Sequence, residues 1–173
     1  SQLQRRRLTG YLSRRLRGEP LQYVLGTVEF RNLTLRVGPG VLIPRPETDQ
    51  LVDVASKGYR GGDICDLCTG CGAVALALAF ELPGVASVVG TDISARALAY
   101  ARGNGRELAI RGVEFFEADL FSAIDPGQRF ALVTANPPYV SSGCYAELPA
   151  EIRDHEPAVA FIGGADGLDV VRR

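Results

Sequence analysis

The sequence predicts an α/β fold built on a mostly parallel sheet. Three observations carry this. From Asp63 onward, short apolar runs alternate with stretches of helical character. The first apolar run passes through a small-residue turn, Cys68-Thr69-Gly70-Cys71-Gly72, straight into a helix-forming stretch. The last closes on Asn136-Pro137-Pro138-Tyr139, where two prolines end sheet and helix alike.

Residues 1–17 read as a helix ending at Gly18, with Leu8, Tyr11, Leu12 and Leu16 at helical spacing. Arg5, Arg6, Arg7, Arg14, Arg15 and Arg17 face Glu19 alone, which predicts an amphipathic helix with a solvated arginine face. From Pro20 to about Glu47 come β-type runs, Tyr23-Val24-Leu25 with Val28-Glu29-Phe30, then Leu33–Val37. Asn32 and Gly38-Pro39-Gly40 punctuate them as a hairpin-like linker. An amphipathic helix follows from about Asp49 to Lys57. Then come strand Asp63–Leu67, helix from Ala73, strand Ala86–Thr91, helix Ala95–Ile110, strand Val113–Glu117 and strand Phe130–Ala135. Right-handed crossovers are expected between parallel neighbours.

At 173 residues and net charge −1, the chain can bury one sizeable core and has no overall charge bias toward a polyanion. It carries no apolar run long enough for a bilayer and no signal-peptide pattern, so a cytoplasmic location is expected. Beyond the first helix nothing forms the basic groove that nucleic acid requires. Cys65, Cys68 and Cys71 fall at three-residue intervals, with Cys144 far downstream. That spacing resembles an iron–sulfur ligand run. Small-residue packing is the better reading, because Cys65 lies in a strand and a cluster would fill the ligand's space; no metal is expected.

The chemistry gathers at strand ends. The strand–turn–helix unit after Asp66 presents backbone N–H groups and a helix N-terminus, an arrangement that suits an anion. Asp92 ends the next strand, where a carboxylate suits the two hydroxyls of a ribose. Asp66 itself favours a nucleoside cofactor with a cationic or amino-acid end. Asp119 follows the third strand, as a turn residue or a third acid on the same edge. At the last strand, the Asn136 carboxamide, a free carbonyl and the Tyr139 face form a receptor for a planar amino group. That group is either a side-chain amide or the exocyclic amine of a base.

These motifs resemble the release-factor glutamine methyltransferases, the PrmC/HemK family. The matching residues are Gly18-Glu19-Pro20-Leu21-Gln22-Tyr23 with Gly26, Glu29-Phe30, Leu42-Ile43-Pro44-Arg45-Pro46-Glu47-Thr48 and Asp66-Leu67 with Thr69-Gly70 and Gly72. They continue through Thr91-Asp92-Ile93-Ser94, Asp119-Leu120-Phe121, Asn136–Val140, Glu156-Pro157 and Gly163-Gly164 with Asp166-Gly167-Leu168. The Ile-Pro-Arg-Pro-Glu-Thr segment is the specific part; adenine-N6 methyltransferases share Asn-Pro-Pro-Tyr.

The resemblance implies a class I, Rossmann-like methyltransferase fold and S-adenosyl-L-methionine as cofactor. The implied reaction is N5-methylation of the glutamine in the Gly-Gly-Gln loop of peptide chain release factors. Asp66, Thr69, Gly70, Cys71 and Gly72 would form the cofactor turn. Asp92 with Ile93 would hold the ribose, Asp119 and Leu120 would face the adenine, and Thr48 and Asn136 would complete the pocket. Asn136, Pro137 and Tyr139 would be catalytic. Pro138, Arg45 and Glu47 would join them around the substrate, with Pro46 at the mouth. His155 stays outside the mechanism.

The expected organisation is residues 1–18 as the last helix of an N-terminal helical domain, 19–47 as the hairpin linker and 48–173 as an incomplete methyltransferase domain. Family members continue with further strands, and a helix is expected to start after Gly167. The family usually has Gly at position 68, where this chain has Cys. The alternatives are an adenine-N6 nucleic-acid methyltransferase and a cofactor-binding remnant without activity.

Overall fold

In the computed structural model, which describes residues 1–173, four parallel strands form the central sheet. They are β3 (Gly62–Leu67), β4 (Val85–Asp92), β5 (Val113–Glu117) and β6 (Leu132–Ala135), in the order β5-β4-β3-β6. Helix α4 (Ala73–Glu81) links β3 to β4, and α5 (Ala95–Glu107) links β4 to β5. Residues Ile64 to Leu67 of β3 are buried in succession, as a strand covered on both faces must be. Every residue of α4 from Ala73 to Leu78 is buried, so this helix is apolar all round because it lies inside the core.

The strand order positions the site. The chain steps outward from β3 through β4 to β5, then returns to pair β6 on the opposite side of β3. Leu67 lies in register with Thr91 on one side and Ala135 on the other, so three strand ends are level. β4 lies on one side of β3 and β6 on the other, so the strand order reverses at β3 and a crevice opens at the carboxyl ends.

A second, two-stranded sheet pairs β1 (Thr27–Phe30) with β2 (Leu33–Arg36) across Arg31-Asn32. Phe30, Leu33 and Leu35 point into the main core. Tyr23-Val24-Leu25 are not strand: Leu21–Leu25 form a helical turn, α2, entered from Pro20 and closed by Gly26 in the left-handed region (φ 82°). Helix α3 runs Glu47–Gly58, starting two residues before the expected position. Helix α5 stops before Ile110 because Ala109 turns left-handed (φ 54°) and the Ile110 N–H donates back to the Gly105 carbonyl. Strand β6 begins at Leu132, two residues later than expected, and the Ala131 N–H just before it already donates to the Asp63 carbonyl of β3.

Helix α1 (Gln2–Leu16) forms as expected, but the leucines of its apolar stripe, Leu8, Leu12 and Leu16, are exposed and only Tyr11 is half-buried. Two arginines dock it instead. Arg14 pairs with Glu19 and donates to the Tyr23 and Val24 carbonyls, and Arg15 reaches Glu151 at 3.1 Å.

Beyond Asn136 the chain passes Val140, which pairs with Ile162. Between them lie the short helices α6 (Ser142–Tyr145) and α7 (Ala150–Arg153) and a single 3-10 turn, Ala158–Ala160. Glycines 163 and 167 lie against the exit of β6: a Cβ on Gly163 would stand 2.5 Å from the Pro138 carbonyl oxygen, and one on Gly167 would stand 2.3 Å from that of Tyr139. No side chain fits between these backbones. After Gly167 the chain makes turns and not the expected helix. No helix of the chain is long and apolar enough to cross a membrane.

Candidate active site

At the carboxyl end of β3 the chain turns through Cys68 (φ 55°), Gly70 (φ 58°) and Gly72 (φ 84°) into α4. Three left-handed residues in five make the turn, and three of its N–H groups are bonded within the protein. The Thr69 N–H donates to the Thr91 carbonyl, and the Gly72 N–H to the Thr69 carbonyl. The Gly70 N–H donates to Asp92 Oδ2 at 2.8 Å, and the Ser94 N–H to Asp92 Oδ1 at 2.9 Å. The Gly70 amide of the expected anion site is thus taken by the protein's own carboxylate. Burial raises the Asp92 carboxyl above its usual range, against those two amide bonds.

Asp66 is buried beneath the turn. Its two oxygens accept from the hydroxyls of Thr69 (2.6 Å) and Thr134 (2.7 Å), joining β3, the turn and β6. Burial pushes its carboxyl up to about 6, opposed by the two hydroxyls.

Asn104, on α5, anchors the turn from behind. Its Nδ2 donates to the Cys71 carbonyl (2.9 Å) and the Arg36 carbonyl (3.2 Å), and its Oδ1 accepts from the Arg36 N–H (2.8 Å). One buried carboxamide thus ties the hairpin, α5 and the glycine turn together. Sequence reasoning missed it, since an Asn in an amphipathic helix carries no local signal of burial.

A cavity opens above these groups. Of the residues expected to hold a cofactor, Thr48, Asp66, Thr69, Gly70, Cys71, Asp92, Ile93, Asp119, Leu120 and Asn136 all line it. Gly72 does not: it faces the core, where a Cβ would meet Leu76, Phe115 and Ala101 at 3.1–3.2 Å. Three carboxylates border the cavity and no lysine or arginine does, which favours a cationic ligand. Asp119, at the rim, is exposed and pairs with Arg173 at 2.8 Å. Leu120 beside it is held left-handed (φ 52°), an uncommon backbone for leucine. The apolar remainder includes Val41, Pro44, Ala118 and Val159, none of them foreseen.

A second cavity adjoins the first and shares Leu42, Thr48, Asn136 and Ala160 with it. Arg45, Glu47, Pro137 and Tyr139 line it; Pro138 lines the first cavity instead. Asn136 therefore stands at the junction. Neither its carboxamide nor the Pro137 carbonyl accepts or donates a hydrogen bond within the protein, so both are free for a ligand. Tyr139 is mostly exposed at the mouth. Arg45 is not free: it pairs with Glu156, whose other oxygen accepts from the Ile43 N–H at 2.9 Å.

The cysteines do not converge. Cys65 and Cys71 are buried, Cys144 is exposed, and no group of three His, Cys, Asp or Glu side chains is arranged to hold a metal ion. Burial pushes the Cys65, Cys68 and Cys71 thiols up to about 12, so none is a reactive thiolate.

A family model described as the methyltransferase small domain matches residues 46–149, more than half of the chain. The chain belongs to that family. The matched region holds the glycine turn, all three strand-end acids and Asn136–Tyr139. Among curated relatives, the chain is 41% identical over 167 residues to a release factor glutamine methyltransferase of Thermodesulfovibrio yellowstonii, covering 94% of this chain and 59% of that protein. It is 46% identical over 157 residues to one of Mycolicibacterium smegmatis, covering 88% and 54%. The chain thus spans just over half the length of these relatives. Among solved structures, the hMettl16 catalytic domain in complex with a MAT2A 3′UTR hairpin superposes with a TM-score of 0.64 at 16% identity, covering 88% of this chain and 60% of that one. The T. thermophilus 16S rRNA N2 G1207 methyltransferase gives 0.58 at 23% identity, covering 68% and 33%. These likenesses establish the fold, a class I methyltransferase sheet.

Proposed function

We propose that this domain transfers a methyl group from S-adenosylmethionine to the glutamine side chain of the Gly-Gly-Gln loop of peptide chain release factors, in the cytoplasm. One observation carries the proposal: Asn136 and the Pro137 carbonyl, both unpaired, stand where an acid-lined cavity meets a second one that holds no free cation. The curated relatives named above support this choice of acceptor.

The residues of the first cavity fit the cofactor. Its three carboxylates suit a ligand bearing a sulfonium and an ammonium group, and Asp92 retains lone pairs for ribose hydroxyls beside its amide bonds. When bound, S-adenosylmethionine supplies an electrophilic methyl. The chain's own part is positioning. A carboxamide nitrogen is a poor nucleophile because its lone pair is delocalised into the carbonyl. The Asn136 Oδ1 and the Pro137 oxygen accept its two N–H bonds, which fixes the nitrogen and stabilises the positive charge it develops. Tyr139 closes over the flat amide. The methylated nitrogen then loses its proton to water, so no general base is needed. The second cavity disfavours a nucleic-acid acceptor: its only cation, Arg45, is paired with Glu156, and Glu47 beside it would repel phosphate.

The test is transfer of labelled methyl to a release factor, beside a copy with its Gly-Gly-Gln glutamine changed to alanine. Label on the first alone is expected. Asn136→Ala should lower kcat by about 10²–10³-fold, as removal of one aligned polar group does, while S-adenosylmethionine still binds. Equal labelling of both release factors, or labelling of nucleic acid instead, would refute the proposal.

A further inference from the structure

Glu156 takes no part in the methyl transfer itself, yet it is the acid whose side chain is least exposed among the chain's ion pairs, at 1%. It spans two segments far apart in sequence. One oxygen pairs with Arg45; the other accepts from the Ile43 N–H at 2.9 Å. Both partners lie in the Leu42–Thr48 segment, which walls both cavities through Leu42 and Thr48. The chain beyond Glu156 supplies the facing wall through Pro157, Val159 and Ala160.

We propose that Glu156 is a positioning residue that determines acceptor specificity. It holds Arg45 against the wall and leaves the acceptor cavity without a free cation. An unpaired guanidinium there would find two good acceptors, the Asn136 Oδ1 and the Pro137 oxygen, which are the groups required by the substrate amide. It would also attract anionic side chains and phosphate. Glu156 thus keeps the site tuned to a neutral carboxamide. This inference rests on the function proposed above and is tested partly without it.

Glu156→Gln is the informative change, because a glutamine oxygen still accepts from Ile43 while the charge that holds Arg45 is gone. With the release factor as substrate, KM should rise about tenfold with the S-adenosylmethionine Kd within about twofold. Inorganic triphosphate should become a competitive inhibitor against the release factor. R45Q/E156Q should be no worse than R45Q alone and should lose the triphosphate inhibition. Independently of activity, phenylglyoxal should modify Arg45 several-fold faster in E156Q than in the unchanged chain, read by peptide mass with Arg5 and Arg6 as internal references. Should E156Q not fold, Glu156→Asp shortens the reach with the charge kept and should give the same gain in Arg45 reactivity. Unchanged Arg45 reactivity overturns the proposal. So does a loss of acceptor and cofactor binding in equal proportion, or an E156Q effect that adds fully to that of R45Q. If the unchanged chain labels no release factor, the functional reading fails while the arginine reactivity still decides this one.

Discussion

Asn104→Leu removes the one side chain that joins the hairpin, α5 and the glycine turn. Leucine keeps the branched shape of asparagine, though it is larger, and supplies none of its polar atoms. Three bonds disappear, at 2.8, 2.9 and 3.2 Å, leaving the Arg36 N–H, the Arg36 carbonyl and the Cys71 carbonyl without this partner. At a net value of about 1 kcal/mol for each bond, the expected destabilisation is about 3 kcal/mol. For a chain of this size that lowers Tm by about 9 °C. The effect is also local, because the Cys71 carbonyl fixes the turn that carries Gly70 against Asp92. Affinity for S-adenosylmethionine should therefore fall even at temperatures where the variant is folded. Urea unfolding followed by circular dichroism gives the first quantity, and titration calorimetry at 15 °C the second. A destabilisation below about 1 kcal/mol together with unchanged affinity would refute the reasoning, since the carboxamide would then be replaceable by apolar packing alone.

Asp66 makes the fold sensitive to pH. Burial holds its carboxyl near 6 in the folded chain, above its unfolded value, so the folded state takes up the proton more readily. Its penalty on stability is full above about pH 6 and is relieved as pH falls toward about 4. Asp66→Asn removes the ionisable group and should flatten the pH profile of urea midpoints across that window, while weakening the cofactor. A profile as steep as that of the unchanged chain would count against it. The buried Thr91 hydroxyl has no hydrogen-bond partner, and Thr91→Val keeps its shape. A thermal melt should show the valine variant about 1 kcal/mol more stable; a loss would mean the hydroxyl has a bound partner.

Much of the fold was legible in the chain because it is set by near neighbours. The turn Cys68–Gly72 announces itself through small residues, and Asn136–Tyr139 through two prolines with no N–H. Both lie at strand ends, where local sequence and the sheet's geometry agree. Where the sequence reading failed, packing had overruled local pattern. Tyr23-Val24-Leu25 carry strand-type side chains, yet Pro20 and a left-handed Gly26 close them into a helical turn. The leucines of α1 have helical spacing but lie exposed, while Arg14 and Arg15 make the contacts.

By itself, the sequence determined the alternation of strands and helices, the places where backbone conformation is forced, and the residue types available for chemistry at each strand end. Only the tertiary structure decided that β6 returns beside β3, so that Asn136 faces the same crevice as Asp66 and Asp92. It alone decided that Gly70 spends its N–H on Asp92, that Asn104 holds the turn, and that Glu156 takes Arg45 out of the acceptor cavity. The reason is physical. Local propensity acts over a few residues, whereas a buried polar group must find its partner wherever the fold brings one, here 22, 33 and 111 residues away.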